Sequence, residues 1–155
     1  MDNKEKHFTA SALIVHNKKV LLVNHLKLGV WLYPGGHVEK DENPDQTLIR
    51  EVKEETGLDV EIISQKDDCF SDIAADVCSL HIPYAVLCEL VGNHYHNDLI
   101  YLCRVVGDCN NLVYKTDESD GINFFSKDEL ENIKLFPNFR KLLEKLFEDI
   151  PKFFN

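Results

Sequence analysis

Apolar and polar positions alternate through the opening of the chain. Phe8 to His16 (FTASALIVH) predicts a strand leading into the turn Asn17-Lys18-Lys19, and Val20 to Val23 supplies a second strand, so the chain begins as a hairpin. Val30 to Tyr33 is a short β-prone run that stops at Pro34-Gly35-Gly36. Two glycines after a proline require the backbone to turn sharply or to come close to something. The period then changes. Asn43 is a good N-cap, Pro44 suits the first helical position, and Asp45 favours the positive end of the helix dipole. The helix they open runs to Glu55 or Thr56, with Gly57 as its left-handed stop. Leu58 to Ile63, Ile82 to Leu90 and Leu99 to Val106 predict three further strands, and Gly121 to Phe125 a weaker one. Ser126 with Glu129 is a capping-box pattern before a short helix. Pro137 begins a last amphipathic helix whose stripe of Phe139, Leu142, Leu143, Leu146 and Phe147 is expected to pack on the sheet.

These elements make one α+β domain over residues 1–155, with no internal repeat, low-complexity tract or linker. A hydrophobic fraction of 44% is enough for a real core. No apolar run is long enough to span a bilayer, so no membrane partner is expected. The charged start, Met1 to Lys6, lacks the apolar stretch of a secretory signal. The five cysteines (Cys69, Cys78, Cys88, Cys103 and Cys109) are odd in number and show no zinc-knuckle or redox spacing. They read as free structural residues, and a reducing cytoplasm is the expected location. A formal net charge of −10 disfavours nucleic-acid polymers, which require a basic surface. It leaves room for a small phosphorylated ligand wherever divalent metal neutralises the carboxylates locally, and it is compatible with a homodimer.

The first helix concentrates the acidity. Glu51, Glu54 and Glu55 stand at i, i+3 and i+4 and project from one side, over an arc of roughly 100°. Leu48, Ile49 and Val52 cover the adjacent arc and are expected to face the core, which places the carboxylates at the rim of the fold. Like charges at this spacing repel by a few tenths of a kcal/mol per pair, about what a hard divalent cation with oxygen ligands would offset. A solvated acidic face is the plain alternative. The neighbours weigh against it, because Gly35-Gly36 closes a strand just upstream, Glu42 lies in the connecting loop, and Arg50 can clamp a carboxylate or phosphate.

The segment from Gly36 to Leu58 resembles a complete Nudix box, G-x₅-E-x₇-R-E-U-x-E-E-x-G-U with U a bulky aliphatic residue. Gly36, Glu42, Arg50, Glu51, Val52, Glu54, Glu55, Gly57 and Leu58 fit without departure. The resemblance implies an α/β/α sandwich with a mixed sheet and Mg²⁺- or Mn²⁺-dependent cleavage of a phosphoanhydride in a nucleotide-like substrate. It assigns metal ligation to Glu51, Glu54 and Glu55, with the Gly36 carbonyl as a further ligand. Arg50 would orient a glutamate, and Glu42 would brace the loop. A box glutamate or a residue elsewhere would act as base. A non-catalytic nucleotide sensor of the same family is the competing reading, although it has less need of all three glutamates.

Outside the box the signals are weaker. Relatives place another acidic residue on an opposing loop, and Glu118, with Asp120 as fallback, is the candidate metal ligand here. Tyr33, His94 and His96 are candidate substrate contacts. The two histidines share one side if the strand begins before Leu99, and otherwise sit exposed at a hairpin tip. Phe8, Trp31, Tyr33, Phe70 and Tyr84 could each stack on a base, with core packing the default. ADP-ribose hydrolases of the family often carry a proline downstream of the box; here the first after Asp59 is Pro83, which weighs against ADP-ribose without naming a replacement. The short chain and acidic surface favour a small nucleoside triphosphate or related diphosphate over capped RNA.

Overall fold

The computed structural model describes residues 3–110, 112–113 and 119–154, with Ser119 and Asp120 described by backbone alone. Within these residues β1 (Lys6–His16), β2 (Lys19–His25), β3 (Val30–Leu32), β4 (Gly35–His37), β5 (Asp59–Ile62), β6 (Ala85–Val91), β7 (His94–Val106) and β8 (Ser119–Phe125) form one sheet. Its main path is β3-β2-β1-β7-β5, while β4 joins β1, β6 joins β7, and β8 joins β2. The central pair, β1 with β7, is parallel from Lys6 opposite Tyr95 to Val15 opposite Arg104. The other pairings are antiparallel, so the sheet is mixed. Asn17 and Lys18 take positive φ in the β1–β2 turn, as a tight hairpin of matching twist requires, and Lys19 already belongs to β2.

Alternation along the strands sends side chains into two cores. Leu13, Val15, Val20, Leu22, Ile100 and Leu102 face helix α2 (Pro137–Phe153) and its Phe139, Leu143, Leu146 and Ile150. Ala10, Ala12, Ile14, Leu21, Tyr101 and Cys103 face helix α1 (Pro44–Thr56) through Leu48 and Val52. The result is the α/β/α sandwich expected from the sequence. The α2 stripe behaves as predicted, with Leu142 and Phe147 partly buried beside the core. No helix of the described residues is long and apolar enough to cross a membrane.

Several local expectations are corrected. Strand β7 begins at His94, five residues before the predicted Leu99, because the start of β1 offers a parallel partner to that segment. Of the two alternatives for Gly35-Gly36, a sharp turn or a close approach, the second holds, since the pair lies within β4 against β1. Ile49 is 41% exposed, since one residue of helical rotation turns it off the stripe that carries Leu48 and Val52. The buried companions of those two residues are Thr47 and Thr56. Phe8 and Phe70 are exposed and pack in no core, Phe8 lying on β1 beyond the cover of α1 and Phe70 in a surface 3₁₀ turn, Asp68–Phe70. Cys103 is buried, whereas Cys69 and Cys78 are exposed, and no disulfide links the five.

Leu143 is fully buried where α2 meets the sheet, and Ile73 is 99% exposed. Leu143→Ala should therefore cost about 2–5 kcal/mol in urea unfolding, with Ile73→Ala within about 0.5 kcal/mol of the parent.

Candidate active site

Local sequence builds α1 with little help from elsewhere. The Asn43 side chain accepts from the Gln46 N–H at 3.0 Å, and the Gln46 side chain accepts from the Asn43 N–H at 2.9 Å, a reciprocal capping box. At the other end Gly57 takes φ 76° and donates its N–H to the Lys53 carbonyl, a conformation that favours glycine. Asp45 does more than complement the dipole, since its carboxylate accepts from the backbone N–H of His81 and meets His81 Nδ1 at 2.7 Å. That contact ties a long surface segment to the helix.

Strand β4 brings the glycines against this helix. A Cβ at Gly35 would lie 2.4 Å from the Ala10 carbonyl oxygen, and one at Gly36 only 2.3 Å from Glu51 Oε1. Both glycines thus serve close approach. The Glu51 carboxylate occupies the space that any side chain at position 36 would need. Glu55 Oε2 accepts from the Gly35 N–H at 3.0 Å, so two of the three glutamates are aimed at the β4 backbone.

Arg50 organises the rest. Its Nε and Nη2 donate to the two oxygens of Glu42 at 2.8 Å each, a bidentate pair. Its Nη1 donates to Glu51 at 2.9 Å and to Glu54 at 3.3 Å, and Nη2 also reaches the His37 carbonyl at 3.4 Å. The Arg50 guanidinium holds the Glu42 carboxyl down to about 2, and Glu42 in turn raises Arg50 further above its ordinary range. Glu42 also accepts from the Thr47 hydroxyl, which explains a threonine buried on α1.

Glu55, Gly35 and Gly36 form one side of a cleft of about 750 Å³. Tyr33, Glu89, His96, Asp98 and Phe139 contribute to the remaining walls. Asp98 is 1% exposed and fully engaged: Thr9 and Ser11 donate to Oδ1 at 2.8 Å each, and Tyr33 donates to Oδ2 at 2.5 Å. Burial, then the neighbouring Asp98 charge, raises the Tyr33 phenol well above its usual value. The Tyr33 ring lies 4.8 Å from that of Phe139. Glu89, opposite His96 on β6, is pushed up to about 7 by burial and then by Asp98.

The family follows from a comparison with known proteins. A model of the NUDIX domain matches residues 5–146. The chain belongs to the Nudix family. Among curated Nudix relatives, an 8-oxo-dGTP diphosphatase of Proteus vulgaris is 41% identical over 64 residues, 39% of this chain and 57% of the relative. A protein of Lactococcus lactis subsp. cremoris named "Probable DHNTP pyrophosphohydrolase" is 34% identical over 97 residues, 57% of either chain. The match therefore spans little more than half the length of these relatives. A Nudix-family hydrolase from Clostridium perfringens shares the fold with a TM-score of 0.79 at 30% identity, covering 92% of this chain and 96% of that one.

The structure brings Gly36, Arg50, Glu51 and Glu54 together and places Glu55 on Gly35, with Tyr33 and His96 in the cleft beside them. His94 is not part of the cleft lining. It and His96 are half-buried on β7 and meet each other and two further histidines, so neither sits at an exposed hairpin tip. Burial, followed by His37 and His94, holds His96 below the ordinary imidazole value. Trp31 packs edge-on against Phe125, and Tyr84 donates to Asp149, as structural roles require. Glu118 lies outside the described residues, as does the side chain of Asp120. Sequence reasoning missed Glu89 and Asp98, although each is a charge set inside an apolar strand, the signal that marks a polar group turned into a cleft.

The raised Glu89 value makes a test of sign. A carboxyl whose folded value lies above its unfolded value stabilises most when protonated, and that contribution fades as pH rises from about 4.5 through about 7. Glu89→Gln should raise Tm by roughly 2–4 °C at alkaline pH, discounted for partial exposure, and leave it unchanged at acid pH, read by calorimetry.

Proposed function

We propose that this protein is a divalent-metal-dependent hydrolase of a small nucleoside triphosphate or related nucleoside diphosphate derivative. The observation that carries this reading is the convergence of the Glu51 and Glu55 carboxylates on the Gly35-Gly36 backbone at one side of a cleft with aromatic walls. The donors present, carboxylates of Glu51, Glu54 and Glu55 and the carbonyl of Gly36, are hard oxygens, which suits Mg²⁺ or Mn²⁺ and not a soft metal. The bare backbone at position 36, with Glu51 against it, is the feature that a ligating carbonyl requires. When bound, the metal would polarise the diphosphate and lower the pKa of an attacking water.

The chain's own groups do the positioning. Arg50 neutralises Glu42 and holds Glu51 against β4, so the carboxylates are preorganised before ligand arrives. Glu54 is the most exposed of the set, at 48%, and meets Arg50 at 3.3 Å. A box glutamate or a residue elsewhere takes the proton of the water that attacks phosphorus. One P–O bond forms, the bridging P–O bond breaks, and the leaving phosphate carries the electron pair away. Tyr33 and Phe139 offer an apolar wall for a base, with Glu89 and His96 as polar edges. The cleft volume suits one nucleotide, and the names of the Proteus and Lactococcus relatives lend support to a triphosphate substrate.

Glu54→Gln and Glu55→Gln should each lower kcat by at least about a hundredfold while Tm stays within a few degrees, since glutamine keeps the shape and one acceptor. Excess EDTA should abolish turnover in a phosphate-release assay coupled to phosphatase. Full activity without metal would refute the site, and absence of turnover across a broad nucleotide panel would leave a sensor.

Substrate choice is tested by kcat/KM for the common triphosphates, oxidised dGTP, ADP-ribose and a dinucleoside polyphosphate. Triphosphates should lead, with discrimination between bases of about tenfold, because a single apolar wall rarely separates bases more strongly. A wide margin for ADP-ribose would overturn this choice.

A further inference from the structure

The start of β1, the end of β4 and the start of β7 meet at one corner of the sheet, and each delivers histidine to it. His7 stands opposite His96 in the parallel β1–β7 pair, and His37 stands opposite Thr9, two residues along β1 on the same face. His94 and His96 share that face of β7. One ligand atom from each of the four lies within 4.8 Å of the other three. Among the described residues this is the cluster of three or more potential ligands that converges so tightly.

We propose that His7, His37, His94 and His96 form a transition-metal site of the zinc type, distinct from the carboxylate site on α1. The inner nitrogens already face one another: His94 Nε2 and His96 Nε2 are 2.9 Å apart, and His7 Nδ1 and His37 Nε2 are 3.4 Å apart. Tetrahedral zinc with Zn–N of about 2.0–2.1 Å places its nitrogens about 3.3 Å apart, so these two pairs are near the needed spacing and the widest pair must close by more than an ångström. The outer nitrogens are oriented for the task. His7 Nε2 lies 3.2 Å from the Glu5 carboxylate, and His94 Nδ1 lies 3.1 Å from the Asn93 side-chain oxygen. Each acceptor holds the proton on the outer nitrogen and leaves a lone pair pointing inward, the arrangement that supports metal-bound imidazole. Without a cation each close pair can share only a single N–H···N bond, with His37 or His96 as donor, and protonating several rings at once would crowd like charges. A divalent ion removes both difficulties. An all-imidazole donor set selects zinc, nickel, cobalt or copper over magnesium.

The site would clamp three strands at the mouth of the cleft. His96 lines that cleft, and His37 follows Gly36 directly while its carbonyl accepts from Arg50. Occupancy would therefore fix the β4 segment that carries Gly36. This inference does not rest on the hydrolase reading, because its readout is metal binding alone.

The test uses the untagged full chain, stripped of metal and titrated with zinc in excess Mg²⁺ by calorimetry against a competing chelator. One zinc per chain is expected, with Tm rising by roughly 5 °C or more at a hundredfold excess over Kd. His7→Gln and His94→Gln should each weaken zinc binding at least tenfold, and Glu54→Gln should leave it unchanged. Should the histidine variants fail to fold by circular dichroism, Co²⁺ bound to the parent chain decides. Intense visible bands of a tetrahedral nitrogen site support the proposal, and the weak spectrum of an octahedral oxygen site overturns it. It is overturned equally by absence of zinc binding in the parent, by undiminished binding in both folded histidine variants, or by loss of zinc in Glu54→Gln.

Discussion

Glu42, Glu51, Glu54 and Glu55 crowd one side of α1 and its entry loop, and the single guanidinium of Arg50 reaches the first three of them. Without that cation the carboxylates would repel one another and the loop would spring away from the helix. With it, Glu42 is locked as an anion, the loop from Glu39 to Asn43 is closed onto α1, and Glu51 is pressed onto Gly36. The placement of Glu42 and Glu51 follows from this one residue, while Glu55, which lines the cleft, is held by the Gly35 N–H. An Arg50→Lys change would keep the charge and lose the fork, since an ammonium cannot bond Glu42 through two parallel N–H groups while reaching Glu51.

The opposite wall is organised by Asp98 in the inverse manner. Here one carboxylate gathers three hydroxyl donors, from Thr9, Ser11 and Tyr33. Burial first, and then the neighbouring Asp98, push the Glu89 carboxyl up to about 7. The cleft thus has an acidic side on α1 and, on β6 and β7, a second one where burial and Asp98 raise the Glu89 carboxyl. A nucleotide placed between them would meet metal-binding groups on one hand and hydrogen-bonding, apolar groups on the other, which is the division of labour the proposed reaction needs.

Much of this was legible in the residues alone. The helix with its caps and the side on which the three glutamates sit depend on contacts within a few residues along the chain, and local spacing predicts them directly. The role of Arg50, by contrast, was implied by the resemblance to the Nudix box. The apolar stripe of α2 and the β1–β2 hairpin are equally local. Where the local rule was applied one position too far, as with Ile49, a rotation of about 100° was enough to defeat it.

What the tertiary structure alone decided are the places where remote strands meet. The role of Gly35-Gly36 as a close approach required knowing that β4 lies on β1 and under Glu51. Asp98 and Glu89 became wall residues only through the register that sets Thr9 beside Asp98 and His96 beside Glu89. The four histidines are separated by as many as 89 positions from His7 to His96, yet that same register brings their nitrogens together. Helical neighbours are written in the sequence because the helix repeats its own hydrogen bonds every few residues. Strand neighbours are not, because each pairing is settled by which of many remote segments buries its apolar face best.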